Sequence, residues 1–191
     1  MKSSATYTRL FRKLCEDMES DHKNLLYFTK VRWLSKGSVL SRVFELRDEL
    51  EIFLNDVKPE LAVHFTNSKF IACLAYLVDI FDSLNTLNLK MQDKEKNIIQ
   101  FVDLINAFVE KLLNWRRKVQ KGNLAMFSNL ADISDLDEAL KTDVAQHLEN
   151  LESEFKSYFP EAIGDDLSLA RNPFRLSPEK VEDELQDQLI D

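Results

Sequence analysis

Two short stretches of this sequence place cations beside a tryptophan, and that pairing is the chemistry of nucleic-acid contact. The first is Lys30-Val31-Arg32-Trp33-Leu34-Ser35-Lys36. An indole face can stack on an unpaired base while neighbouring cations take phosphate oxygens. A helix N-terminus at Ser35 would add backbone donors to the same anion. The competing reading packs Trp33 into a core and pairs Arg32 with an acid. The second stretch is Lys111, Arg116, Arg117, Lys118 and Lys121, with Trp115 among them and no acid from 111 to 121. It reads as a phosphate-contacting stripe, or as a basic last helical turn that suits the macrodipole.

Other chemistry is poorly supplied. His22, His64 and His147 have no His or Cys partner at ligand spacing, so no metal site is expected. Gly37, Gly122 and Gly164 are too far apart for a phosphate-cradling loop. There is no Gly-x-Ser-x-Gly and no Cys–His pair suited to nucleophilic catalysis. Cys15 and Cys73 fall on apolar helix faces and are expected to be buried and inert. Asp79 and Asp82, on an apolar helix, are expected at its edge or paired with a neighbour. No cofactor and no small-molecule substrate are expected.

The elements that must position these residues are helices. The chain has 191 residues, 45% hydrophobic and 30% charged, enough for one domain with a real core. Only 3 glycines and 4 prolines leave too few turns for a sandwich or barrel. The fold class is therefore all-α, an irregular bundle of roughly five to seven helices. The net charge of −8 is uneven: residues 1–122 carry 20 Lys+Arg and 16 Asp+Glu, a balance of +4, and residues 123–191 carry 5 and 17, a balance of −12. That asymmetry fits a basic working surface followed by an acidic segment, or simply a solvated acidic helix pair. No unbroken apolar run approaches the ~18 residues of a membrane span, and the N-terminus does not read as a signal peptide. Two cysteines make no disulfide framework, so the reducing interior of a cell is the expected compartment.

Periodicity predicts a first helix through Tyr7, Phe11, Leu14 and Met18, then an extended or irregular stretch over 25–34. Ser35 is expected to cap one long helix reaching about Asn55. Pro59 opens a short helix to Phe65, and Asn67 or Ser68 opens the next, to about residue 91. A further helix runs from about Asp93 to a C′ glycine at Gly122. An apolar loop over 123–133 leads to a helix capped by Ser134 and ending near Tyr158. Residues 160–176 read as a loop. Ser177-Pro178 then starts a terminal helix carrying Val181, Leu185 and Leu189. The expected division is a helical domain over 1–159 and a continuation over 160–191.

The string Val31-Arg32-Trp33-Leu34-Ser35-Lys36-Gly37-Ser38-Val39-Leu40-Ser41-Arg42-Val43-Phe44-Glu45-Leu46 resembles the hAT superfamily of DNA transposases. The similarity takes in Leu74-Ala75-Tyr76-Leu77-Val78-Asp79, Trp115-Arg116-Arg117, Lys121-Gly122-Asn123 and Arg171-Asn172-Pro173-Phe174, nearly the whole chain. It is strongest to the domesticated branch of BED-zinc-finger and SCAN-domain proteins. The resemblance implies most of the helical domain inserted in a ribonuclease-H-like core. The family's metal-binding Asp-Asp-Glu residues would lie outside this chain, which is expected to be truncated at both ends and non-catalytic. The family's Arg-Trp motif maps onto Arg32 and Trp33, and there the Trp is associated with a flipped base at a DNA hairpin. Many relatives read Arg-Trp-Asn-Ser; this chain has Leu34 in the third place, as is typical of the domesticated branch.

The resemblance therefore implies a transposase remnant contacting DNA through Lys30, Arg32, Trp33 and Lys36. Arg116 and Arg117 are weaker phosphate candidates, and the location is nuclear. The alternatives are a helical protein-interaction or self-associating module using the 123–133 loop and the acidic 135–158 helix, or an inert fragment.

Overall fold

The computed structural model describes residues 5–26, 35–93, 97–133 and 137–160. Among the described residues all regular structure is helical, as the composition requires: α1 (Ala5–Asp17), α2 (Ser35–Glu45), α3 (Arg47–Val57), α4 (Pro59–Phe65), α5 (Ser68–Met91), α6 (Ile98–Gln120), α7 (Ser128–Ala131) and α8 (Glu138–Tyr158). The expected loop and helix beyond Pro160 lie outside the described residues. The chain divides into two compact units: residues 1–86 with 119–144, and residue 87–118 with those from 145 on.

In the first unit, α3 packs on α1, α2 and α4. Its core joins Phe11 and Cys15 of α1 to Leu46, Leu50, Phe53, Leu54 and Ala62. The Phe11 and Phe53 rings meet edge-on at 5.3 Å. Each such large apolar side chain contributes roughly 1.5–3 kcal/mol by leaving water. In the second unit, Val102, Ile105 and Val109 of α6 form the centre, with Met91, Phe101, Phe155 and Phe159 against them.

Three boundaries differ from the sequence reading. The long helix expected from Ser35 to Asn55 is two helices, bent at Leu46, whose φ of −97° and ψ of 25° leave the helical region. There is no glycine or proline at the bend. Leu46 is buried there among α1 and α3 residues, and Arg47 Nη1 donates to the Phe44 carbonyl at 2.9 Å across the junction. Burial of Leu46 thus selects a bend that periodicity does not reveal. The helix expected from Asp93 starts at Ile98, behind a reciprocal cap. Asn97 Oδ1 accepts from the Gln100 amide at 2.9 Å, and Gln100 Oε1 accepts from the Asn97 amide at 3.1 Å. The helix expected to be capped by Ser134 starts at Glu138 behind Asp137, whose Oδ1 accepts from the Leu140 amide at 2.6 Å; Ser134 lies outside the described residues.

Other stops match their causes. Lys58, constrained by the proline after it, sits at φ −153° and ψ 75° between α3 and α4. Asn67 Oδ1 accepts from the Phe70 amide at 3.1 Å and opens α5. Gly122, at φ 75°, ends α6 with its amide on the Val119 carbonyl.

The apolar 123–133 stretch is not simply a loop. It contains α7, and Phe127 and Leu130 are fully buried, with Phe127 edge-on to Tyr76 at 5.2 Å. The buried Asp79 fixes it. Asp79 accepts from Ser128 Oγ, the Asn129 amide, Asn129 Nδ2 at 2.7 Å and the Leu130 amide at 3.1 Å. Its carboxylate thus satisfies orphan donors at the N-terminus of α7.

Helix α5 is long and apolar enough, by length and average composition, to cross a membrane, although no unbroken run of that length occurs. Ala72, Leu74, Ala75, Tyr76, Val78 and Ile80 are nevertheless buried within the first unit, and Asp79 among them is committed to α7. That is the behaviour of a core helix.

Candidate nucleic-acid interface

Lys30, Arg32 and Trp33 lie outside the described residues; the structure describes what flanks them. On the N-terminal side, α1 ends in a left-handed residue, Glu19 at φ 55°, with the Ser20 amide on the Cys15 carbonyl at 2.9 Å. This closure turns the chain without a glycine. Side chains then hold the turn. Ser20 Oγ donates to Glu49 Oε1, Arg12 Nε donates to Asn24 Oδ1 at 3.2 Å, and Arg42 Nη1 donates to the Asn24 carbonyl at 3.0 Å. Arg42 also meets Glu45 at 3.2 Å, and His22 lies 3.4 Å from the same carboxylate.

On the C-terminal side the described residues resume at the first turn of α2. Lys36 is exposed there, while Gly37 is buried against α5. A Cβ at position 37 would stand 2.6 Å from Asn85 Nδ2 and 3.4 Å from Phe81 Cβ. Glycine permits this close approach of helix to helix; a larger residue would have to displace the Asn85 side-chain amide. Asn24 before residues 27–34 and Gly37 after them are therefore each anchored within the first unit, and Lys36 is exposed. Of the pinning residues, Asn24 and Arg42 carry no sequence signal, because their bond joins positions 18 apart. Gly37 was visible but informative only as a glycine within a helix.

The second basic stretch is arranged differently. Trp115 is 5% exposed, and its ring meets Phe108 edge-on at 6.5 Å. Lys111 Nζ lies 4.5 Å above the same indole, and its pKa is lowered, first by burial and then by the neighbouring Lys90. Trp115 is thus a core residue with a cation on its face and offers no open stacking platform. Arg116 Nη1 lies 2.8 Å from Glu149 and 3.6 Å from Glu152, so two acids of α8 offset its charge. Arg117 and Lys118 are exposed. Lys36 belongs to the first unit and Arg116 and Arg117 to the second.

Other titratable groups stand apart. Among the described residues no group of three or more His, Cys, Asp or Glu side chains is placed to hold a metal ion. His64 leans on Phe70 and the half-buried His147 has its pKa lowered by burial. Cys15 is fully buried, and burial followed by Glu49 pushes its thiol pKa up. Cys73 is only partly buried, with its pKa also raised by burial.

A family model, the FAM200/GTF2IRD2 helical domain, matches residues 1–120. The chain is 34% identical over 191 residues to the General transcription factor II-I repeat domain-containing protein 2 of Bos taurus, which covers 95% of this chain. The chain spans 19% of that relative's length. No solved structure matches.

Proposed function

Because the chain belongs to the FAM200/GTF2IRD2 helical-domain family, we propose that it is a non-catalytic helical domain of hAT-transposase descent, acting in the nucleus and keeping a DNA contact at residues 30–36. Residues 1–159 form that domain and 160–191 its continuation. The observation that carries this reading is the pinning on both flanks of the Arg32-Trp33 segment. Arg12 and Arg42 hold Asn24 before it, and Gly37 seats α2 on α5 after it. A short segment held at both ends loses less entropy on meeting a ligand than a free one. Lys36 is exposed beside it for a phosphate, and the start of α2 contributes a favourable dipole. Trp33 stacks on an unpaired base, and Lys30 and Arg32 take flanking phosphates. Arg117 is the freer phosphate contact of the second stretch, since Arg116 already meets two carboxylates. The name of the Bos taurus relative, a general transcription factor repeat protein, is in keeping with nuclear work on DNA.

The test is titration of a labelled DNA hairpin carrying an unpaired base, across salt concentrations. Trp33→Ala is expected to weaken binding about tenfold or more, the worth of one stacked base. Lys36→Ala is expected to lower the salt slope by about one. Absence of binding at low salt, from protein shown to be helical, overturns the reading. Incubation of supercoiled DNA with Mg²⁺ or Mn²⁺ is expected to give no nicking; reproducible cleavage by pure protein would refute the non-catalytic assignment.

A further inference from the structure

The second unit holds a group of cations that no acid answers. Lys90, on the last turn of α5, is exposed, and Met91 beside it packs against Val102, Ile105 and Val109 of α6. The end of α5 thus lies against α6, and there Lys90 and Lys111 stand close enough for their like charges to repel. Lys111 Nζ is held 4.5 Å above the Trp115 ring, which is itself core, so the ammonium rests on a fixed indole face. Asn114 and Lys118 continue the same exposed ridge, since positions i, i+3 and i+7 of a helix share a face. Among the described residues Lys90, Lys111 and Lys118 have no carboxylate within ion-pair distance, whereas Arg116 nearby has two. Two lysines brought together without a counter-charge destabilise each other's charged form, and a bound anion relieves that repulsion.

We propose that Lys90, Lys111, Asn114 and Lys118 form a track for consecutive phosphates of a nucleic-acid backbone. The spacing selects a polymer of phosphates over a single ion. Lys111 and Lys118 are seven residues apart, about 10 Å along the helix axis, which is too far for one phosphate to meet both. Phosphates along one strand of duplex DNA recur every ~3.4 Å of axis, so several fall within that span. The chemistry selects backbone over bases. Ammonium groups meet phosphates as point charges, and a carboxamide donates to the same oxygens without reading sequence. The one aromatic ring at the track is buried beneath Lys111 and gives no base a face to stack on. This site rests on the DNA reading above for the class of its ligand, and it uses none of residues 30–36.

The experiment titrates the whole 191-residue chain with a blunt DNA duplex that has no unpaired base, across salt concentrations. Nuclear magnetic resonance follows the indole N–H signals of the two tryptophans, Trp33 and Trp115. The Trp115 signal is expected to move as the duplex binds. Lys90→Gln with Lys111→Gln is expected to lower the slope of log affinity against log salt by about two, and Lys90→Arg with Lys111→Arg to restore it. An unchanged slope in the Gln variant, from protein shown to be helical, overturns the proposal. So do a Trp115 signal that stays still while the duplex binds and an absence of duplex binding at low salt. A Trp115 response to polyglutamate as strong as that to DNA also overturns it, and marks an acidic polypeptide as the occupant. Inorganic phosphate as effective as the duplex at equal phosphate concentration does the same, and marks a single-ion pocket. The advantage of the hairpin over the duplex, and its loss in Trp33→Ala, reports residues 30–36 separately. Either result can fail while the other stands.

Discussion

Asp79 in the first unit and Glu152 in the second are equally buried, at 8% exposure each, and their charges are met in opposite ways. Asp79 takes four hydrogen bonds from the hydroxyl, amide side chain and backbone amides of Ser128, Asn129 and Leu130, with no cation among them. Glu152 meets two cations, Lys156 at 2.6 Å and Arg116 at 3.6 Å. Fixed neutral dipoles bind a carboxylate without desolvating a second charge, whereas an ion pair must offset the desolvation of both partners. The first unit thus ties a distant segment, α7, to its central helix. The second uses ion pairs that join α8 to α6 near the surface.

The largest expected effect comes from breaking the first arrangement. Asp79→Ala leaves the buried Leu130 amide and the Asn129 groups without their acceptor and should cost about 3 kcal/mol, read by urea unfolding. Phe127 and Leu130 should loosen with it, visible as faster amide exchange over 127–131. A loss under about 1 kcal/mol would mean that water or a neighbour replaces the carboxylate. Breaking the second arrangement should matter less. Arg116→Ala is expected to cost about 1 kcal/mol, since Glu149 is half exposed and Glu152 keeps Lys156. The difference from the unmutated chain should shrink at roughly 1 M salt, while that of Asp79→Ala should not. Equal salt sensitivity of the two variants would erase the contrast.

A smaller effect sharpens it by pH. Burial lowers the His147 pKa from its ordinary value of 6.5, so the folded state resists protonation. As pH falls through 6.5 the unfolded chain takes the proton first, and stability declines until the lower folded value is passed. Asp82 has the opposite sign. Burial and then Asp79 raise its pKa above 3.8, so acidification through that raised value favours the folded chain. His147→Gln should flatten the decline below pH 6.5, and Asp82→Asn should slightly stabilise the protein at neutral pH, both read from melting curves across pH.

The two basic-aromatic stretches show how far residue type alone carries. Both present a tryptophan among cations. Trp115 nevertheless serves the core against Phe108, because it falls on the apolar stripe with Ile105, Phe108 and Leu112. That placement was legible in the helical period. The engagement of Arg116 was not, since Glu149 and Glu152 lie on another helix. Around the first stretch, the Arg42–Asn24 bond and the seating of Gly37 against α5 are likewise tertiary contacts that the motif does not announce.

Sequence by itself determined the helical class, the stops at Pro59 and Gly122, and the apolar stripes of α1, α5, α6 and α8. These follow from local rules: backbone dihedral limits, missing turn residues and the 3.6-residue period act within a few positions. Even the Asn97–Gln100 cap was available in that way, as a spacing of three. Only the tertiary structure decided the bend at Leu46, the conversion of 123–133 into the core-forming α7, and the commitment of Asp79 to it. Each depends on a partner tens of residues away, and the energy that selects it, burial of Leu46, Phe127 or a carboxylate, exists only once those partners meet.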